Sequence, residues 1–177
     1  MKWPDKDLAS LHRGESYYKG AAVCRRGHVE TSFLNPADTN RAIPENCPKC
    51  GARVLTACLY CDLRIRGDRF VPGVIGVTSY KPPSFCDDCG SALPWATREE
   101  RIYELENLLD EEDIDEAARV VIQDALRRLQ SSEFNERDEK QAWQIIKNQA
   151  GRAITSGPVV RVIEGLVSAK IRHDLGL

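Results

Sequence analysis

No stretch of this 177-residue chain approaches the roughly 18–20 consecutive apolar residues that cross a bilayer. Met1–Leu11 carries Asp5 and Asp7 where the apolar core of a secretory signal would lie. The expectation is a soluble, cytoplasmic protein whose thiols stay reduced. The common catalytic signatures are also missing. There is no G-x-S-x-G, no P-loop and no G-x-G-x-x-G. No internal repeat exceeds the paired-cysteine unit, and no low-complexity segment stands out. After Cys89 there are no more cysteines.

Charge excludes a further class. The chain has a formal net charge of -2. Residues 1–98 hold 14 Lys and Arg against 10 Asp and Glu, a net +4, and residues 99–177 hold 11 against 17, a net -6. Seven thiolates and two Zn²⁺ ions would bring the first half to about +1. A strong non-specific nucleic-acid footprint calls for a larger basic excess on one face.

What is present is a set of metal ligands. Seven cysteines and one histidine form four close pairs: Cys24/His28, Cys47/Cys50, Cys58/Cys61 and Cys86/Cys89. In a reducing compartment paired cysteines bind metal rather than oxidise. Zinc takes four N or S donors in a tetrahedron, and a structural site is closed by all four. Eight donors make one Cys₃His and one Cys₄ site, which implies two zinc ions. Iron in a rubredoxin-like Cys₄ site is an alternative for the second. His28 stands four residues after Cys24, where the eighth ligand is otherwise missing. His12 and His173 have no partners in sequence and read as surface residues. A sequential pairing joins the first two pairs in one site and the last two in the other. An interleaved pairing joins the first with the third and the second with the fourth. The sequential one is favoured, because the segment from Val23 to Val29 already resembles one ribbon's hairpin.

The surrounding residues suit a small β module. Lys19–Ser32 reads as a hairpin turning at Cys24-Arg25-Arg26-Gly27. Cys47-Pro48-Lys49-Cys50-Gly51 reads as a knuckle, a tight turn whose N–H groups point at sulfur, with glycine supplying positive φ. Asn35–Glu45 is expected to be a loop, Arg53–Thr56 a short strand, and Gly73–Tyr80 strand and turn. Met1–Tyr18 reads as a leader of short polar stretches.

Helix signals begin at Thr97. Thr97-Arg98-Glu99-Glu100 is a capping box, and Ile102, Leu105, Leu108 and Leu109 follow on one face. Asp113 with Glu116 repeats the cap. Ile114, Ala117, Ala118, Val121, Ile122, Ala125, Leu126 and Leu129 then keep helical spacing. A third helix is expected over Glu136–Thr155 and a last one over Val159–Leu175. The last is apolar on a wide arc, which requires intramolecular cover or an oligomer or partner interface. The acidic run from Glu99 to Glu116 reads as a solvated helix face. The expected architecture is a double zinc-ribbon domain over residues 1–96 and a helical bundle over 97–177.

With eight ligands for two metals, neither site keeps the open position a catalytic zinc needs, and no thiol is left for a nucleophile. The leading expectation is a non-enzymatic zinc-binding adaptor that docks a protein partner. The alternative is a nucleic-acid-binding accessory or regulator using Arg25 and Arg26 at the hairpin tip, with Arg64, Arg66 and Arg69 beside Tyr60 and Phe70. A third reading, an accessory in a bacterial stress or antiphage system, rests on no residue.

Tyr17-Tyr18-Lys19-Gly20, Cys24-Arg25-Arg26-Gly27-His28-Val29, Cys47-Pro48-Lys49-Cys50-Gly51 and Phe85-Cys86-Asp87-Asp88-Cys89-Gly90 with Pro94-Trp95 resemble a bacterial family of uncharacterised double-zinc-ribbon proteins, a domain of unknown function. The likeness covers about residues 15–98, with a looser echo in the helical tail. It implies a bacterial origin, zinc ribbons and a helical C-terminal part, and it brings no activity.

Overall fold

The computed structural model describes residues 2–36, 42–74, 79–131 and 135–176. The centres of two expected segments, the loop Asn35–Glu45 and the strand and turn Gly73–Tyr80, lie outside these residues. The chain divides into two compact units, Met1–Ala96 and Thr97–Leu177.

The first unit is built round one long strand, β1 (Tyr17–Cys24). Antiparallel to it run β2 (Val29–Leu34), β3 (Val54–Leu55) and β4 (Arg66–Phe70). Because β1 serves all three partners, Ala21, Ala22, Val23 and Cys24 have no exposed surface. A small core forms from Ala21, Val23, Leu55 and Ile65. Cys58, Cys86 and Leu93 make a second one. Neither is large, as expected for a unit that relies on more than apolar burial.

Residues 1–18 are not a simple leader. Asp5–Arg13 forms a helix, α1, whose one buried residue is Asp7. Asp7 pairs with Arg64, and their side chains are 7% and 3% exposed. The same guanidinium donates to the Lys19 carbonyl at 2.9 Å and lies 4.8 Å from the centre of the Trp3 ring. This arrangement pins the N-terminal segment to the sheet. β4 crosses so close to the sheet backbone that a Cβ on Gly67 would lie 2.4 Å from the carbonyl oxygens of Gly20 and Ser32.

The second unit is helical: α2 (Arg98–Asp110), α3 (Glu116–Gln130), α4 (Glu136–Ala150), a 3₁₀ turn (Gly151–Thr155), α5 (Gly157–Leu166) and α6 (Ala169–Leu175). Thr97 caps α2 in a reciprocal box with Glu100. The cap of α3 is Asp115, accepting from the Ala118 N–H, rather than Asp113. One continuous core joins these helices, with Trp143, Ile102, Leu105, Ile146 and Val159 fully enclosed.

Three sequence expectations change here. On α3 the buried stripe is Ala118, Ile122, Ala125, Leu126 and Leu129, while Ala117 and Val121 face outward. The expected last helix is two helices. After Leu166 the chain turns extended at Val167 and Ser168, and Ser168 caps α6 by accepting from Ile171 N–H. The expected apolar arc narrows, because Val160 and Ala169 are exposed. Val159, Val162, Ile163, Leu166, Val167, Ile171 and Leu175 are all buried in the helical core.

Candidate metal centre

The eight predicted donors gather into two groups, Cys24, His28, Cys47 and Cys50, and Cys58, Cys61, Cys86 and Cys89. This is the sequential grouping. Within each group all donor atoms lie within 4.8 Å of one another.

Three of the four pairs share one backbone design. The amide of the first cysteine reaches five residues ahead: Cys47 to Ala52 at 2.8 Å, Cys58 to Leu63 at 2.8 Å and Cys86 to Ser91 at 3.0 Å. Its carbonyl accepts from four residues ahead: Gly51 at 2.8 Å, Asp62 at 3.2 Å and Gly90 at 3.1 Å. Isolated bridges close each loop, between Asn46 and Arg53, Ala57 and Arg64, and Phe85 and Ala92. The position after the second cysteine needs left-handed backbone, with φ of 70°, 60° and 68°. Gly51 and Gly90 supply it freely, whereas Asp62 does so with a side chain attached. In all three loops the N–H two residues on points at the first sulfur: Lys49, Tyr60 and Asp88. The fourth pair uses the β1–β2 turn. Cys24 N–H donates to the His28 carbonyl at 2.9 Å, and His28 N–H to the Cys24 sulfur at 3.3 Å.

The donor spacing can be tested against coordination geometry. Donors bonded to one tetrahedral centre at about 2.3 Å (sulfur) and 2.0 Å (nitrogen) stand about 3.8 Å apart for two sulfurs and about 3.5 Å for sulfur and nitrogen. In the first centre Cys24 and Cys50 sulfurs are 3.7 Å apart, and His28 Nδ1 lies 3.6, 3.7 and 3.3 Å from Cys24, Cys47 and Cys50. In the second, Cys58 to Cys89 is 3.7 Å and Cys61 to Cys86 is 3.5 Å. A disulfide would need about 2.05 Å, and every cysteine is free. The arrangement fits four donors round one ion in each centre.

The protein environment acts unevenly on these thiols. Burial, with Glu30 beside it, pushes Cys47 up to about 11. Burial also pushes Cys86 and Cys61 up. Cys89 feels the same burial, but hydrogen bonds from Ser91, Cys61 and Cys58 together outweigh it and bring it down to about 7. Cys24 is lowered in the same way, backbone bonds from Arg26 and His28 and contacts with Cys50 and Cys47 together overcoming burial. A bound cation would convert all seven to thiolates and release their protons.

The proposed contact arginines do not stand together. Arg25, Arg26 and Arg69 are exposed. Arg66 is half-exposed, 3.5 Å from Asp87 and over the Tyr18 ring. Arg64 is no contact residue: it is buried and committed to Asp7. Its neighbours in sequence made it look like part of a basic cluster, but it stands before β4, in an isolated bridge with Ala57, and turns to Asp7. Exposed apolar groups are more prominent. Leu59 and Tyr60 sit at the tip of the second knuckle, each about half exposed, and Phe33 and Phe70 flank the Lys19 ammonium at 5.0 and 5.2 Å. Only the Cys-x₂-Cys motif signalled the knuckle tip. Nothing in the sequence pointed to the pairing of Phe33 with Phe70 across Lys19.

A family described as an uncharacterized protein conserved in bacteria (DUF2321) matches residues 17–174. The chain belongs to that family. The family match spans the helices as well as both metal clusters, so the likeness seen in the knuckles is not confined to them. No curated protein and no solved structure matches the chain. Among the described residues, no helix is long and apolar enough to cross a membrane.

Proposed function

We propose that this chain is a non-enzymatic adaptor whose first unit is held in shape by two structural zinc ions and docks a protein partner. The observation that carries the reading is the closure of the two centres. All seven cysteines and His28 are used in two four-donor groups, and a tetrahedral zinc so held keeps no position for substrate or water. An all-N/S donor set with thiolates in the majority suits zinc better than the hard cations. Zinc would supply folding energy to a unit with two small cores.

Docking falls to the surface that the knuckles make rigid. Leu59 and Tyr60 project from a metal-fixed turn, and aromatic residues are favoured anchors of protein interfaces. The nucleic-acid reading is weakened by the loss of Arg64 to the interior and of Arg66 to Asp87, and it becomes an outcome of the test. The protein is tagged in its native host and purified with and without nuclease, beside a Tyr60→Asp chain of equal zinc content. A protein that survives nuclease and is lost from Tyr60→Asp supports the adaptor. Recovery of nucleic acid, with proteins lost on digestion, overturns it.

A further inference from the structure

The two centres do not meet solvent alike. Of the eight donors only Cys89 is exposed. In the first centre Cys24 and Cys47 are 0% and 2% exposed, Cys50 is half-buried, and the fourth donor is an imidazole, which forms no disulfide. Cys89 also has a partner at hand. Its sulfur lies 3.7 Å from that of Cys58, which is buried. An accessible thiolate beside a second thiol is the arrangement of a redox sensor, whereas buried structural cysteines are inert. The Cys58 loop is also the one that carries Leu59 and Tyr60, each about half exposed. Tyr60 N–H donates to the Cys58 sulfur at 3.5 Å, and Cys58 and Cys86 form the small core there with Leu93.

The geometry points to the second centre as a peroxide-sensitive switch that unlocks the Leu59 and Tyr60 tip. This rests on reading the Cys58, Cys61, Cys86 and Cys89 cluster as a zinc centre and on the docking role given to that tip. The oxidant is hydrogen peroxide. The Cys89 thiolate attacks one of its oxygens, the O–O bond breaks with loss of hydroxide, and Cys89 becomes a sulfenic acid. The Cys58 thiolate then attacks the Cys89 sulfur and expels a second hydroxide. Two thiolates lose two electrons, peroxide gains them, and a disulfide forms. The two sulfurs close from 3.7 Å to about 2.05 Å. Only Cys61 and Cys86 are left as donors, too few for a closed tetrahedral site. The sulfur that held the Tyr60 amide has moved, and the tip loses its fixed geometry. The first centre keeps its ion throughout.

The test uses the full chain loaded with two zinc ions, hydrogen peroxide, and pyridylazoresorcinol to read the metal set free above the rate without peroxide. One equivalent should be released about tenfold faster than the other, since oxidation follows exposure of the thiolate. Peptide mapping at that point should find Cys58 joined to Cys89, with Cys24, Cys47 and Cys50 still reduced. Chymotrypsin should then cut after Tyr60 about tenfold faster than in the untreated chain, as local opening exposes the backbone. Dithiothreitol with zinc should restore resistance. Equal release from both centres, earlier oxidation of the first, no release, or release without faster cleavage overturns the proposal. These readouts need no docking partner, so they succeed or fail apart from the adaptor reading. A chain that binds fewer than two ions overturns the zinc reading and the proposal together.

Discussion

Replacing Arg64 by alanine should destabilise the first unit severely. Arg64 and Asp7 face each other with side chains 3% and 7% exposed, so water cannot compensate whichever charge is left behind. Burial lowers the affinity of the guanidinium for its proton, and Asp7 opposes that effect. Removing one member of a buried pair costs about 3–5 kcal/mol, most of it the penalty for the orphaned charge. Loss of the Trp3 contact and of the bond to the Lys19 carbonyl places Arg64→Ala toward the upper end of that range. With a urea slope of about 2 kcal/mol/M the midpoint should fall by about 2 M. Asp7→Ala should cost a similar amount, because Asp7 also accepts from Tyr18 N–H at 3.3 Å. Asp7→Leu combined with Arg64→Met should cost less than either alanine, since no charge is then stranded. The assay is urea unfolding of the metal-loaded chain in a Trp143→Phe background, where the fluorescence of Trp3 and Trp95 reports the first unit. If either single variant costs under about 1 kcal/mol, or the paired variant costs the sum of the two, the pinning role assigned to this ion pair is wrong.

Three other substitutions probe separate parts of the structure. Gly67→Ala should cost more than about 2 kcal/mol, because its Cβ would meet two backbone oxygens at 2.4 Å and the backbone must move. A thermal melt of the zinc-loaded chain with a midpoint within a degree of wild type would count against that close approach. At Asp62, held at φ 60°, valine should lower the melting temperature well below that of glycine, since a branched side chain suits left-handed backbone worst. Equal melting of the two variants would contradict the knuckle geometry. Trp143→Ala should cost about 3–5 kcal/mol in the helical unit, with both metal equivalents retained. Loss of metal from that variant would show that the two units do not fold independently.

The two four-donor clusters were legible because coordination chemistry writes itself into spacing. Four close pairs that use every cysteine admit few arrangements, and the Thr97 capping box marked the change to helix just as plainly. What stayed hidden depended on contacts distant in sequence. Asp7 and Arg64 are 57 positions apart, and Arg64 looked like part of an exposed basic cluster, so α1 passed for a polar leader. The break between α5 and α6 was masked by an apolar pattern that continues through Val167, although Ser168 supplied a cap. Val121 kept helical spacing but sits at the edge of the stripe and is 41% exposed.

The central claim is that eight side chains form two separate four-donor zinc centres, paired in sequence order. Native mass spectrometry with cysteine alkylation tests it most directly, on wild type and on a Cys47→Ala, Cys50→Ala chain. The account predicts two zinc ions in the wild type. In the variant it predicts one, with Cys58, Cys61, Cys86 and Cys89 protected and Cys24 reactive. A single ion in the wild type, or a variant in which Cys86 and Cys89 lose protection while Cys24 keeps it, would contradict the account.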